Sequence, residues 1–291
     1  MAPGTPPRCP LRQERYPCGR PEAVGYTSGV TYTLHDSPSG ITRHASPLPP
    51  RLPALHQTFL RDRPPGADED VHMIAELVDS VIERCSRPGD TVFDPFAGFG
   101  TTIARAAALG RHAVGIELLP ERVAYLQLRT PEATVIEGDA RELSRLLAAL
   151  PPESVAGGPR ASGGSGPRVD LVLTSPPYMT AEDHDADPLT AYELDTGDYA
   201  RYLRELGLVA AQCARAVKPG GFVVWNVADI RHRGRTTPLI RDCERELGRH
   251  LVQLETTRIE WDRYPHDLVA DALLVFQRPV SAAAEGSRPS R

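Results

Sequence analysis

Two short segments hold residues whose types and spacing suit chemistry: Asp94-Pro95-Phe96-Ala97-Gly98-Phe99-Gly100-Thr101-Thr102 and Thr174-Ser175-Pro176-Pro177-Tyr178. In the first, Gly98 and Gly100 let backbone come close to a ligand, although glycines at a strand-to-helix turn also serve conformation alone. Ile103 stands where a dinucleotide fingerprint needs its third glycine, and no GxxxxGK[ST] phosphate loop occurs, which argues against NAD and ATP. In the second segment two prolines fix φ and remove two backbone donors, leaving a stiff turn whose carbonyls can aim at a substrate. An amino group conjugated to a heteroaromatic ring is a poor nucleophile because its lone pair is delocalised. Acceptors on its two N–H bonds help it pyramidalise and attack a sulfonium methyl in line, with positioning and preorganised dipoles supplying the rate. Tyr178 offers a face on which a base can stack, worth about 1–3 kcal/mol; a proline-stiffened loop around a packed tyrosine is the plainer alternative.

Three acids accompany these segments. Asp94 ends the first apolar run, Glu117 ends the second, and Asp139, in Gly138-Asp139-Ala140, ends the third. In nucleotide-binding sheets an acid at the second strand end accepts hydrogen bonds from ribose hydroxyls, which is the position of Glu117. Asp139 is placed to accept from an adenine amino group. Each acid alone serves equally well as a solvated strand end or a helix cap. Three at successive strand ends point to one ligand.

The elements that must position these residues follow from the apolar periodicity. Helical spacing runs from Val71 through Ile74, Leu77, Val78, Val81 and Ile82 to Cys85, after the acidic start Asp68, Glu69, Asp70. Apolar runs at 91–93, 112–116, 134–136 and 169–173 then alternate with helical patterns at 101–109 and 120–128, which calls for a parallel sheet. An amphipathic helix is expected over 198–217, a turn at Lys218-Pro219-Gly220-Gly221, a strand at 222–227, a helix at 238–248, and two closing strands at 253–261 and 272–277 forming a hairpin. Residues 1–65 hold 13 of the 29 prolines and are expected to form an extended or disordered arm. The catalytic domain is expected over 66–279, with a flexible Gly/Pro/Ser-rich insert at 151–168 and a disordered tail at 280–291.

Composition narrows the function. No run of about 18 apolar residues occurs and the N-terminus has no signal-peptide pattern, so a cytoplasmic protein with no membrane partner is expected. The five cysteines are scattered, with no CxxC, which indicates reduced thiols and no zinc site. The formal net charge of −5 is unlike that of a protein holding nucleic acid mainly by phosphate neutralisation. The loop 181–198, with Glu182, Asp183, Asp185, Asp187, Glu193, Asp195 and Asp198, would repel phosphates unless it folds away. His184 among these acids is read as unliganded, and no metal is assigned. Carbon-5 cytosine chemistry needs a thiolate, and the single Pro-Cys dipeptide, Pro17-Cys18, lies in the arm.

With DPFAGFGTT at Asp94 and SPPY at Ser175, the chain resembles the amino-methyltransferases of DNA, whose signature pairs a DPF-x-G-x-G-T loop with a [DNS]-PP-[YFW] loop. The resemblance covers about residues 56–278 and includes Lys218-Pro219-Gly220-Gly221, Asn226-Val227-Ala228-Asp229, Trp261 and Ala272-Leu273-Leu274-Val275-Phe276. It implies a doubly wound, mostly parallel, seven-stranded α/β sheet of the Rossmann-like methyltransferase kind with a C-terminal antiparallel hairpin. It also implies S-adenosylmethionine as cofactor, with Asp94, Pro95, Phe96, Gly98, Gly100, Thr101 and Thr102 around its methionine part, Glu117 at the ribose, Asp139 at the adenine and Phe59 near the sulfonium. Ser175, Pro176, Pro177 and Tyr178 would form the catalytic turn. Serine in the first position is similar to the enzymes that methylate cytosine N4, whereas an acid or Asn is more usual for adenine, and the setting would be restriction-modification. The chain departs from the family pattern in leaving no room between Trp261 and Ala272 for a target-recognition domain. Specificity must then come from the arm, from the basic turn Arg231, Arg233, Arg235, or from a partner subunit. RNA or a protein glutamine as acceptor, and a non-catalytic cofactor-binding scaffold, are the competing readings.

Overall fold

The computed structural model describes residues 45–64, 72–150, 168–181, 187–190 and 197–280. Its strands are β1 (Arg51–Ala54), β2 (Thr91–Asp94), β3 (His112–Glu117), β4 (Thr134–Glu137), β5 (Val169–Thr174), β6 (Val217–His232), β7 (Arg235–Thr237), β8 (Val252–Trp261) and β9 (Leu268–Gln277). Its helices are α1 (His56–Arg61), α2 (Ala75–Cys85), α3 (Thr101–Ala108), α4 (Pro120–Arg129), α5 (Leu143–Ala148), α6 (Tyr199–Ala216) and α7 (Leu239–Gly248). The strands form one sheet in the order β1-β8-β9-β6-β5-β2-β3-β4, with β7 paired to β6. Pairings from β6 through β5, β2 and β3 to β4 are parallel, and β9 joins β6 and β8 antiparallel.

Alternation along the strands builds two cores, one on each face of the sheet. Phe93, Val172, Val223, Trp225 and Leu274 pack with α5, α6 and α7, whereas Val92, Leu171, Leu173, Val224 and Val275 pack with α2 and α3. The sheet is therefore doubly wound, as the family resemblance implies. From β2 the chain winds outward to β3 and β4, and from β5 it winds the other way to β6. The adjacent β2 and β5 thus mark the switch point where such sheets bind ligands, and the two motif segments follow these strands.

The sheet has nine strands among the described residues, where seven were expected. β1 is the first addition. Residues 45–64, assigned to the arm, include a strand that pairs in parallel with β8, Arg51 opposite Arg258 and Ala54 opposite Trp261. Pro53 is tolerated because β1 is an edge. β7 is the second: β6 runs on past Val227 to His232 and folds back through Arg233 and Gly234, at φ 47° and 80°, a tight two-residue turn of the kind hairpins favour. The turn expected at 218–221 is a bulge inside β6. Pairing jumps there from Val169–Val217 to Leu171–Phe222, Gly220 takes φ 81°, and the Lys218 ammonium lies 2.7 Å from Asp170.

Local signals explain the helix ends. Asp198 caps α6 by accepting from the Arg201 N–H. α2 starts at Ala75, and the Ala75 N–H donates to Asp62 from the preceding segment; Asp68, Glu69 and Asp70 lie outside the described residues, as do residues 1–44 of the arm, all of the insert 151–168 but Arg168, and all of the tail 280–291 but Val280. Among the described residues no helix is long and apolar enough to cross a membrane, and no cluster of three His, Cys, Asp or Glu could hold a metal ion. Cys85, Cys213 and Cys243 are buried thiols, and burial pushes Cys85 up to about 12.

Candidate active site

A cavity of about 390 Å³ opens at the carboxyl ends of β2, β3, β4 and β5. Asp94, Pro95, Phe96, Gly98, Gly100, Thr101 and Thr102 line it from the first loop, Glu117 and Asp139 from the next two strand ends, and Ser175, Pro176, Pro177 and Tyr178 from the fourth. Thirteen of the fourteen expected site residues therefore share one concave surface. Arg122, His72, Met73, Pro188 and Leu189 complete much of the remaining wall.

Asp94 is buried and ties the two motif loops together. Its Oδ1 accepts from the Thr174 hydroxyl at 2.5 Å and from the Phe96 N–H at 3.0 Å. Burial nonetheless pushes its carboxyl from the usual 3.8 up to about 6. Glu117 accepts from the Gly98 N–H at 2.8 Å and the Leu119 N–H at 2.9 Å, so the carboxylate at one strand end shapes the glycine loop after its neighbour. Burial raises its pKa as well. Gly100 takes φ 84° as the N-cap of α3, and a Cβ there would meet Leu126 Cδ2 at 2.1 Å. Glycine is required at this point by conformation and by packing. At Gly98, φ 54°, a Cβ would meet only Phe96 O at 3.9 Å, leaving the loop open toward the cavity.

Asp139 behaves as the helix cap that sequence reading left open. It accepts from the Arg141 N–H at 2.8 Å and pairs with the Arg141 guanidinium at 2.6 Å, while Arg141 also reaches Glu205 at 2.8 Å. The carboxylate lines the cavity and is already engaged.

The Ser175–Tyr178 turn is held from two sides. The Ser175 hydroxyl donates to the Tyr178 hydroxyl, which donates to the Asn226 carbonyl, both at 3.2 Å. Donation by Ser175 leaves its oxygen lone pairs as acceptors. Tyr202, fully buried on α6, donates to the Pro177 carbonyl at 2.9 Å. Burial holds the Tyr178 phenol far above its ordinary range, so it stays neutral and is no general base.

Phe59 is not part of the large cavity. Its ring is buried, stacked on His72 at 4.4 Å between ring centres and edge-on to Trp261 at 6.0 Å. These rings line a second, smaller cavity with Tyr178, Asn226, His266 and Asp271, and Tyr178, His72 and Met73 form the wall common to both. α1 is a short helix tied to the hairpin by the His56 N–H, which donates to Asp262 at 2.7 Å.

Sequence reading missed Asp271. Its carboxylate accepts from Asn226 Nδ2 at 2.7 Å and from Trp261 Nε1 at 2.8 Å, and burial raises it to about 6. Asn226 thus holds the turn and the hairpin at once: its backbone carbonyl accepts from Tyr178, and its side-chain amide donates to Asp271, which also accepts from Trp261. The signal was present: one acid interrupting the apolar strand Leu268–Gln277. Of the acidic loop, Asp187 is buried and paired with Arg201, and Asp198 caps α6. Glu182, Asp183, Asp185, Glu193 and Asp195 lie outside the described residues, as does Cys18.

The profile of a family described as DNA methylase matches residues 73–128 and 169–264, a span that contains both motif loops. The type II methyltransferase M.BsoBI of Geobacillus stearothermophilus is 38% identical over 72 residues, 24% of this chain and 14% of that protein. The type II methyltransferase M.HinfI of Haemophilus influenzae is 41% identical over 68 residues, 23% of this chain and 19% of that protein. The matched stretch is thus less than a fifth of either relative's length. Among solved structures, TrmN from Thermus thermophilus aligns with 71% of this chain and 49% of that chain, at 17% identity and a TM-score of 0.49.

Proposed function

The chain belongs to the DNA methylase family, and from that premise we propose that it transfers a methyl group from S-adenosylmethionine to an exocyclic amino group of a DNA base, cytosine N4. The observation that carries this reading is the single cavity lined by both the Asp94–Thr102 loop and the Ser175–Tyr178 turn.

The large cavity fits the cofactor. Asp94 and Glu117 are carboxylates whose ionised forms burial disfavours, so a cationic ligand beside them restores charge balance. When bound, S-adenosylmethionine supplies an electrophilic methyl on a sulfonium. Glu117 would accept from ribose hydroxyls with the lone pairs that Gly98 and Leu119 leave open, and the first N–H groups of α3, which have no partner within the helix, would hold the methionine carboxylate. Asp139 marks the adenine end.

Catalysis rests on positioning. The Ser175 oxygen accepts from the target amino group, and the proline turn holds it still through Tyr202. Tyr178, its hydroxyl anchored to Asn226, presents its ring to the extruded base. The base must leave the duplex to reach that ring, a step that costs a few kcal/mol. β8 and β9 are joined by residues 262–267 alone, too short to hold a recognition domain at that point.

The test is nucleoside mass spectrometry of duplex DNA incubated with the purified chain and S-adenosylmethionine. N4-methylcytosine supports the proposal. N6-methyladenine overturns the choice of base, and cofactor binding without any methylated nucleoside overturns DNA as the acceptor.

A further inference from the structure

We propose that the ribbon formed by the end of β6 and by β7 is a backbone clamp for the DNA duplex beside the target base, with Arg231, Arg233 and Arg235 as its phosphate contacts. The inference rests on the proposed DNA methylation and adds an element that neither motif predicts.

Placement is the first argument. β6 passes Tyr178 at Asn226, whose carbonyl holds the tyrosine hydroxyl, and then continues beyond the carboxyl edge of the sheet to His232. At about 3.3 Å per residue, Arg231 stands ~17 Å and Arg233 ~23 Å along the strand from that anchor. A duplex delivering a base to Tyr178 must pass over this rim. The second argument is charge. Residues 230–237 contain three arginines and a histidine and no acid, and Arg231, Arg233 and Arg235 are all exposed.

Rigidity is the third. Ile230 pairs with Thr237, Arg231 with Thr236 and His232 with Arg235. At its base the Arg231 N–H donates to the Asp267 carbonyl in the β8–β9 loop, and Thr237 Oγ1 accepts from the Ala181 N–H just after the catalytic turn. The ribbon is thus fixed to both walls of the substrate side. Two antiparallel strands are also a shape the major groove admits, and arginine's forked donors match phosphate oxygens. This gives a chain of net charge −5 a local seat for DNA.

The test compares wild type with the Arg231→Ala/Arg233→Ala/Arg235→Ala variant and the corresponding triple Lys variant, using a target-containing duplex at 50–200 mM salt. S-adenosylmethionine affinity serves as the check on folding and is expected to be equal in all three. Three lost phosphate contacts flatten the salt slope of log K by up to ~2.7, so across that range wild type should lose about 40-fold more affinity than the Ala variant. KM for DNA should rise about tenfold or more at low salt in the Ala variant, kcat at saturating DNA should change little, and the Lys variant should recover the slope. A wild type that methylates DNA while the Ala variant keeps the same slope and KM overturns the clamp and leaves the methylation reading standing. A wild type that neither binds nor methylates DNA overturns both.

Discussion

At the scale of single residues, Asp94 has two tasks that conflict. It joins β2 to β5 through Thr174 and it carries a charge that burial disfavours. Its folded-state pKa, about 6, lies above the ordinary 3.8. Its share of apo stability is therefore fully present below pH 3.8 and is lost as the pH climbs through 6. Asp94→Asn retains an Oδ1 to accept from both Thr174 and Phe96. It should raise the apo unfolding free energy at pH 7.5 by on the order of 2 kcal/mol, with little change near pH 4, by denaturant titration. Cofactor affinity should move the other way, falling about tenfold. In wild type that affinity should also decline below about pH 6 as Asp94 protonates, and calorimetry of the Asn variant should show no such decline. Gain in stability with loss of binding is the signature of a residue kept for function.

At the scale of elements, the β2–α3 turn and α1 make opposite demands. Gly100→Ala places a Cβ at φ 84° against Leu126, itself buried in the core. Backbone strain and overpacking together should cost ~2–4 kcal/mol in chemical denaturation. A cycle with Leu126→Ala should recover the packing share and leave the φ strain, giving a coupling of about 1 kcal/mol or more. Phe59→Ala removes a buried ring from the α1–hairpin contact and should cost ~3–4 kcal/mol. Measured on fully folded protein, its cofactor affinity should stay within about twofold of wild type, because the ring belongs to the second cavity. A tenfold loss there would return Phe59 to the sulfonium.

At the scale of the whole molecule, the doubly wound sheet brings loops from four strand ends to one edge and spares no residues between β8 and β9 for reading sequence. Under the proposed DNA methylation, extrusion of the base is driven by few contacts, and any weakening of its pairing should show directly in rate. A mismatch opposite the target should raise kcat/KM about tenfold or more over the matched duplex, and a single strand should be methylated faster than the duplex, both read as initial methyl incorporation. Equal rates on matched and mismatched duplex would mean that extrusion does not limit the reaction.

The order of seven of the nine strands and five of the seven helices among the described residues, and the two chemical turns, were legible in the chain, because each is written in a short local window as periodicity, glycine or proline. Thirteen expected site residues meet for the same reason: parallel strands all end on one edge, so residues at successive carboxyl ends converge whatever the neighbour order. Tertiary structure alone decided the rest. β1 becomes a strand through pairing with a segment some 200 residues away, β7 exists through the overrun of β6, and Phe59 joins His72 and Trp261 around the smaller cavity. Asp271 matters through its partners Asn226 and Trp261, which lie on two other strands. Edge pairings, ring clusters and buried polar networks are contacts between distant segments, and no local window contains both partners.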